Sequence, residues 1–226
     1  MNIVYAVTRD YYQKLIPSIT SLLEHNPKAV IYVLAEDDSI NIPFDVKVIN
    51  VSGQTYFPET GVNYKNNFTY INLLKVCYPA LLKVNKVIHL DADTIICDSL
   101  EPLWKTDVTD KWVAAVPEYN GTYKPFGSTY YNMGIALLNL QQMRKDNIMD
   151  DMVQYLNEVP QPYADQDAWN KYGIAEDKFI EVPVRYNENF ATGFTDAPAI
   201  VHYCGITKWW GNKAMFRWEY LAKYAN

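Results

Sequence analysis

No stretch of this sequence is apolar for long enough to cross a bilayer, which argues against a membrane-spanning helix. The N-terminal MNIVYAVTRD has no basic segment ahead of its apolar residues, so it reads as a first strand and not as a signal peptide. Cysteine is scarce. Cys77, Cys97 and Cys204 are odd in number, far apart and without zinc spacing, a pattern that fits a reducing, cytoplasmic compartment. Basic charge is short as well: a net charge of −6 argues against nucleic acid as the main partner. There is no internal repeat and no low-complexity linker, and 226 residues suit one α/β domain with a full core.

What is plentiful is aromatic. The chain has 19 tyrosines and 6 tryptophans, residues that hold flat amphipathic ligands such as sugars and bases but also fill ordinary cores. Apolar runs at Ile3–Val7, Ala29–Leu34 and Val46–Val51 predict strands. Between the first two, Leu15, Ile19, Leu22 and Leu23 recur at helical spacing, with Asp10 as a candidate cap and Pro27 as the stop. This βαβ alternation predicts a mostly parallel sheet with helices on its faces. After a loop over 52–67, the pattern predicts a helix over Thr69–Leu82 bent at Pro79, and a strand at Lys86–Leu90. Further strands are expected at Trp112–Val116, Met133–Leu140, Phe179–Val182 and Ala199–Tyr203. Helices are expected at Gln141–Leu156 and Asp165–Tyr172, and an amphipathic helix at Lys213–Tyr224.

The most informative stretch is KVIHLDADTII, residues 86–96, an apolar run interrupted by Asp91-Ala92-Asp93. Strand alternation would put both carboxylates on one side. Two carboxylates held together repel unless a cation lies between them, and hard oxygen ligands suit Mg²⁺ or Mn²⁺. A plain strand-end turn with two solvated carboxylates is the bland alternative. In open sheets of this kind, ligands bind at the carboxyl ends of the strands, where this pair lies.

Two chemistries use D-x-D at a strand end. One is the aspartyl phosphatase of the haloacid-dehalogenase type, which Asp91-Ala-Asp93-Thr94 matches locally. That motif normally ends the first strand and needs a late acidic pair. Here most of a βαβ unit precedes it, and Asp150-Asp151 sits within an expected helix. The other is the nucleotide-sugar glycosyltransferase, in which a metal neutralises the diphosphate leaving group. The late segment His202-Tyr-Cys-Gly205-Ile-Thr-Lys208-Trp209-Trp210 favours the second. A neutral imidazole is a suitable third ligand beside two carboxylates. Gly205 allows close backbone approach to phosphate, and Lys208 supplies a charge for a diphosphate.

In combination these motifs, together with Tyr131-Asn132-Met-Gly134-Ile-Ala-Leu-Leu-Asn139-Leu140 and Asp165-Gln166-Asp167, resemble family-8 retaining glycosyltransferases. That group includes glycogenin and bacterial lipopolysaccharide galactosyltransferases. The resemblance runs over nearly the whole chain. It implies a GT-A fold: a nucleotide-binding half (1–97) ending in D-x-D, a donor-sugar and acceptor half (98–205), and a closing helix (206–226). It implies that Asp91, Asp93 and His202 hold Mn²⁺, with Mg²⁺ as a substitute, and that the donor is a UDP-hexose, glucose or galactose. Ala6 and Thr8 would face uracil and ribose, and Tyr11 or Tyr12 would stack on the base. Gly205 and Lys208 would contact the diphosphate, Ala92 within the D-x-D would bind the UDP-sugar, and Lys75 would touch phosphate or sugar. Asn132, Asp165 and Gln166 would surround the donor sugar and reacting face, with Glu118 near the sugar. The bland readings are a solvated Lys75, a turn residue at Asn132 and a helix N-cap at Asp165.

Two departures from the family pattern stand out. Trp209 follows Lys208 where relatives often have proline. The last segment is short beside the basic, aromatic membrane-docking extension of many bacterial relatives. In Thr207–Asn226, Lys208, Lys213, Arg217 and Lys223 alternate with Trp209, Trp210, Phe216, Trp218 and Tyr220. Packing of a closing helix is the favoured reading, with peripheral contact at the inner face of a membrane as the alternative. The acceptor is left open among glycan, lipid-linked sugar and protein, as is a homodimer. A self-glucosylating protein like glycogenin and a non-catalytic UDP-sugar-binding module are the competing functions.

Overall fold

The computed structural model describes residues 1–65, 68–127, 129–210 and 216–224. Four strands, β1 (Asn2–Val7), β2 (Val30–Ala35), β3 (Lys47–Asn50) and β4 (Lys86–Leu90), pair in parallel in the order β3-β2-β1-β4. Past β4, the sheet continues through β7 (Tyr131–Asn139), β6 (Val113–Pro117) and β8 (Phe179–Glu181). β7 runs antiparallel to both of its neighbours, and β6 pairs in parallel with β8. The seven-stranded sheet is therefore mostly parallel, as the βαβ alternation implies.

Both faces are covered. On one, Leu15, Ile19 and Leu22 of α1 (Leu15–His25) pack against Ile3, Tyr5, Ile31, Ile88 and Leu90. Their i, i+4, i+7 spacing is what makes that face of the helix apolar. On the other face, Val4, Val87, Ala136 and Leu138 meet Leu74, Tyr78, Leu140, Met152, Leu156 and Trp169. Full burial of each large aliphatic side chain contributes about 1.5–3 kcal/mol, so the two layers hold the sheet firmly between them.

Several expected elements are subdivided. Asp10 caps no helix: it lies in a single 3₁₀ turn, Arg9–Tyr11, and α1 begins at Leu15. The expected helix over Thr69–Leu82 is three short pieces: α2 (Tyr70–Leu73), a 3₁₀ turn at Leu74–Cys77, and α3 (Tyr78–Leu81) with Pro79 in its first turn. A short helix α4 (Glu101–Trp104) comes after the apolar run of residues 86–96. The helix expected over Gln141–Leu156 divides into α5 (Leu140–Asp146) and α6 (Ile148–Glu158) at Asn147, which adopts φ 53°. Asparagine tolerates that left-handed conformation better than most residues. α7 (Asp165–Ala175) follows. A closing helix over Lys213–Tyr224 is not formed at that length. Lys213 lies outside the described residues, and the described part contributes a single turn, α8 (Trp218–Leu221).

A second sheet decides where the site forms. The three-residue strands β5 (Thr94–Ile96) and β9 (Ile200–His202) pair antiparallel, with Thr94 opposite His202. β5 resumes the chain directly after D-x-D, so this pairing carries His202 to the carboxylates. The aromatic end of the chain packs on this sheet: Trp209, Phe216, Tyr220 and Tyr224 lie against Ile95, Val201, Tyr203 and Leu221. Among the described residues, no helix is long and apolar enough to cross a membrane.

Candidate active site

The D-x-D carboxylates are not displayed by strand alternation. β4 ends at Leu90, and Asp91-Ala92-Asp93 forms a turn that leads into β5. Thr94 Oγ1 donates to the Asp91 carbonyl at 2.9 Å. The Asp91 amide donates to the Gly134 carbonyl at 2.8 Å, and the Tyr203 amide to the Asp93 carbonyl at 2.8 Å. The turn is thus pinned by β7 on one side and by the chain leaving β9 on the other. An extended strand would continue past the site; the turn gathers both side chains under His202.

Carboxylate oxygens of Asp91 and Asp93 and a ring nitrogen of His202 all lie within 4.8 Å of one another. His202 Nε2 is 3.3 Å from Asp93 Oδ1 and 3.8 Å from Asp91 Oδ2. His202 is buried, and its Nε2 has no hydrogen-bond partner. The other nitrogen, Nδ1, is 3.0 Å from Asn187 Oδ1, which can only accept. His202 therefore carries a proton on Nδ1, and the neutral form of the ring turns a bare lone pair toward the two carboxylates. A buried unsatisfied acceptor is costly unless something fills it. Two carboxylates and a neutral imidazole are a donor set that a divalent cation fits.

Lysines balance the carboxylates. Lys75, on the 3₁₀ turn, donates to Asp91 Oδ1 at 2.7 Å, and Lys208 pairs with Asp93. Burial opposes ionisation of Asp91, but Lys75 and His89 beside it hold its carboxyl well below the usual range. Asp93 is likewise held low against its burial, with the Lys208 ammonium paired to it. Lys75 is buried, which disfavours its charge, yet Asp91 and Asp165 keep it raised above the ordinary lysine value. It is not a solvated helix residue. His89 is pushed down to about 4, first by burial and then by Lys75, so its ring is neutral at physiological pH.

A polar chain leads away from His202. Asn187 Nδ2 donates to Asn132 Oδ1 at 2.9 Å, and Asn132 Nδ2 donates to Glu118 Oε1 at 2.8 Å. Gln166 Nε2 donates to the same Glu118 oxygen at 3.2 Å, while its Oε1 accepts from the Met133 amide at 2.9 Å. Burial raises the Glu118 carboxyl, and these two amide donors work against that. Asn132 sits inside β7 and is no turn residue, in a register irregularity where β6 slips between Ala115 and Val116.

Asp165 is not an N-cap. Ala164 takes that position with φ 51°, and Asp165 is the first residue of α7. Its Oδ2 is buried without a hydrogen-bond partner. Burial, with the charge of Asp91 adding to it against the pull of Lys75, pushes its carboxyl up to about 7. A buried, unsatisfied and perturbed carboxylate lining a cleft is a candidate functional group.

These groups share one cleft of about 560 Å³. Ala6, Thr8, Tyr11, Lys75, Asp91, Ala92, Asp93, Glu118, Asn132, Asp165, Gln166, His202, Gly205 and Lys208 all line it. Tyr12, the alternative stacking residue, does not: it is buried in the core beside α1, and its hydroxyl exchanges hydrogen bonds with Asp37. Tyr11 instead meets Trp210 edge-to-face at 5.4 Å between centroids. Gly205 has φ 61°, a left-handed backbone that suits glycine.

Sequence reasoning assigned no role to His89, Gly134 or Asn187. For His89 a signal existed, since it is a polar residue inside an apolar strand run, two residues before Asp91. Gly134 stands inside the Tyr131–Leu140 segment, where a glycine in an apolar run is its own signal of close approach. Asn187 carried no signal, because its partners His202 and Asn132 are distant in sequence.

The model of Glycosyl transferase family 8 matches residues 2–214. A relative from Haemophilus influenzae is 29% identical over 253 residues, spanning 94% of this chain and 74% of that protein. Glycosyltransferase GlyA of Streptococcus pneumoniae is 28% identical over 234 residues, 94% of this chain but 32% of its own length. Among solved structures, galactosyltransferase LgtC in complex with donor and acceptor sugar analogs superposes with TM-score 0.74 at 23% identity, over all of this chain and 95% of that one. The chain belongs to glycosyl transferase family 8: it is a glycosyltransferase of GT-A fold. That membership sets aside the phosphatase alternative, and Asp150 and Asp151 lie in the first turn of α6, apart from the cleft lining.

Proposed function

We propose that this enzyme transfers a hexose, glucose or galactose, from a UDP-sugar to an acceptor hydroxyl with retention of anomeric configuration, in the presence of Mn²⁺ or Mg²⁺. The carrying observation is the bare Nε2 of His202 turned toward Asp91 and Asp93 at the floor of the cleft. A cation held by these three residues would neutralise charge developing on the UDP leaving group.

The rest falls to the chain's own side chains. Residues 1–97 hold the nucleotide, with Ala6 and Thr8 at uracil and ribose and Tyr11 against the base. Lys208 moves from Asp93 onto the diphosphate and meets the negative charge as the glycosidic bond breaks. Gly205 brings backbone close to the same phosphates. Lys75 and Asp165 position the donor sugar, and ionised Asp165 stabilises positive charge at the anomeric carbon. Glu118, Asn132 and Gln166, already joined in one hydrogen-bonded set, face its hydroxyls. Gln166 is a poor nucleophile, which favours a front-face route. In that route the acceptor oxygen forms its bond on the face the phosphate leaves, and its proton passes to the departing phosphate oxygen.

The direct test replaces single ligands. Asp93→Asn and His202→Ala are expected to abolish metal-stimulated UDP release while circular dichroism and thermal midpoint show a folded protein. Unchanged turnover in both variants would sink the metal assignment.

A further inference from the structure

We infer that the buried pair Tyr78–His89 is a positioning device for Asp91, fixing which carboxylate oxygen is left for the cation. The inference rests on the metal site proposed above.

Asp91 Oδ1 receives two donors. Lys75 Nζ is at 2.7 Å and His89 Nε2 at 3.0 Å. Oδ2 receives neither and faces His202 Nε2 at 3.8 Å. The carboxylate is therefore differentiated: one oxygen is spent on the protein and the other is turned to the cluster. A rotation about the Asp91 side-chain bond would have to break both contacts at once.

His89 can act only if its proton sits on Nε2, since a carboxylate oxygen only accepts. What holds the proton there is Tyr78. Its hydroxyl lies 2.9 Å from His89 Nδ1 and donates to that nitrogen when the ring is neutral. Tyr78 and His89 are buried, the first on α3 and the second on β4, and Val87 shares the His89 face of the strand. A core strand position of this kind ordinarily takes an apolar side chain. The two site histidines thus hold opposite tautomers: His202 is protonated on Nδ1 by its contact with Asn187, and His89 on Nε2 by its contact with Tyr78. Partners behind a metal ligand typically change affinity by about 10- to 100-fold when removed.

Two readouts other than turnover decide this. Long-range proton–nitrogen NMR is tractable because the chain has 3 histidines. His89 is expected to show a protonated Nε2 and a bare Nδ1; the reverse tautomer overturns the inference. Manganese binding is then followed by the loss of the free Mn²⁺ EPR signal in the presence of UDP. His89→Phe is expected to weaken binding about 10-fold or more, and His89→Gln, which keeps a donor near the Nε2 position, to recover most of it. Tyr78→Phe, which removes one buried hydroxyl and nothing else, is expected to weaken binding in the same direction. Full affinity in both Phe variants overturns the inference, as does failure of Gln to restore binding. Asp93→Asn serves as the control. If the unaltered enzyme binds no Mn²⁺ and Asp93→Asn changes nothing, the metal site itself fails and the positioning role falls with it.

Discussion

The His202 ring fills the space that a side chain on Gly134 would need. A Cβ on Gly134 would lie 2.2 Å from His202 Cε1 and 2.9 Å from Asp91 Oδ2. The imidazole lies against the bare backbone of β7 because nothing projects there, and the same residue's carbonyl takes the Asp91 amide at 2.8 Å.

Gly134→Ala is accordingly expected to displace His202 and Asp91 together. A misplacement of about 1 Å at a reacting centre costs on the order of 100-fold in rate, and that is the loss expected in UDP release. Steady-state assays at saturating Mn²⁺ check it, with the alanine variant's far-ultraviolet circular dichroism showing the sheet preserved. Activity within twofold of the unaltered enzyme would mean that the contact is not needed.

Asp165 links function to stability through pH. Its carboxyl is raised to about 7 in the folded, metal-free protein, above its unfolded value. A raised carboxylate costs nothing below the unfolded pKa; the cost grows as pH climbs from there to the folded pKa and is full above it. Asp165→Asn removes that cost, so the metal-free variant is expected to be more stable at pH 8, by roughly 2–4 kcal/mol. The gain should shrink at pH 5, and turnover should be lost at both. Urea midpoints at the two pH values provide the measurement; a variant less stable at pH 8 would contradict the picture.

Lys208 should separate two affinities. It neutralises Asp93 in the ligand-free protein and lines the cleft. Lys208→Met removes a cation that competes for Asp93, so Mn²⁺ alone should bind more tightly. The same change removes a positive charge from the diphosphate, so UDP should bind more weakly. Calorimetry with each ligand separately reads both signs. Movement of both affinities in one direction would argue against the proposed transfer of Lys208 between partners.

Arg217 ties the end of the chain to the site's support. Its Nε donates to fully buried Glu188 at 2.5 Å, and a second nitrogen donates to the Thr195 carbonyl at 2.7 Å. The Glu188 carbonyl in turn accepts from the His202 amide at 2.9 Å. Arg217→Ala strands a buried carboxylate, and a loss of about 3 kcal/mol is expected in chemical denaturation. A change below about 0.5 kcal/mol, the range of an ordinary surface substitution, would show that Glu188 is not sealed from water.

Much of this was legible from residue pattern. Ile3–Val7 and Lys86–Leu90 stood out as strands because buried parallel strands are nearly continuous apolar runs. Asp91, Asp93, His202 and Lys208 stood out because those residue types in that order are rarely neutral in effect. What escaped was set by tertiary contact. β5 is three residues long, too short for any periodicity; the strand expected at Ala199–Tyr203 is present as β9, but its pairing with β5, which alone brings His202 to the turn, has no sequence signal. Tyr11 and Tyr12 are indistinguishable as letters; the 3₁₀ turn at Arg9–Tyr11 sends one to the cleft and the other to the core. The breaks at Leu74–Cys77 and Asn147 were invisible because the apolar spacing continues through them. Asn187 has no local signature, since its role lies in which nitrogen of His202 keeps the proton.

The central claim is that Asp91, Asp93 and His202 hold a cation that the transfer of sugar from UDP requires. The most direct measurement is UDP release from a panel of UDP-sugars, with Mn²⁺ and then with EDTA. Release from one UDP-hexose that depends on Mn²⁺ and stops in EDTA is the expected result, and it would name the donor. Release that continues undiminished in EDTA would contradict the claim.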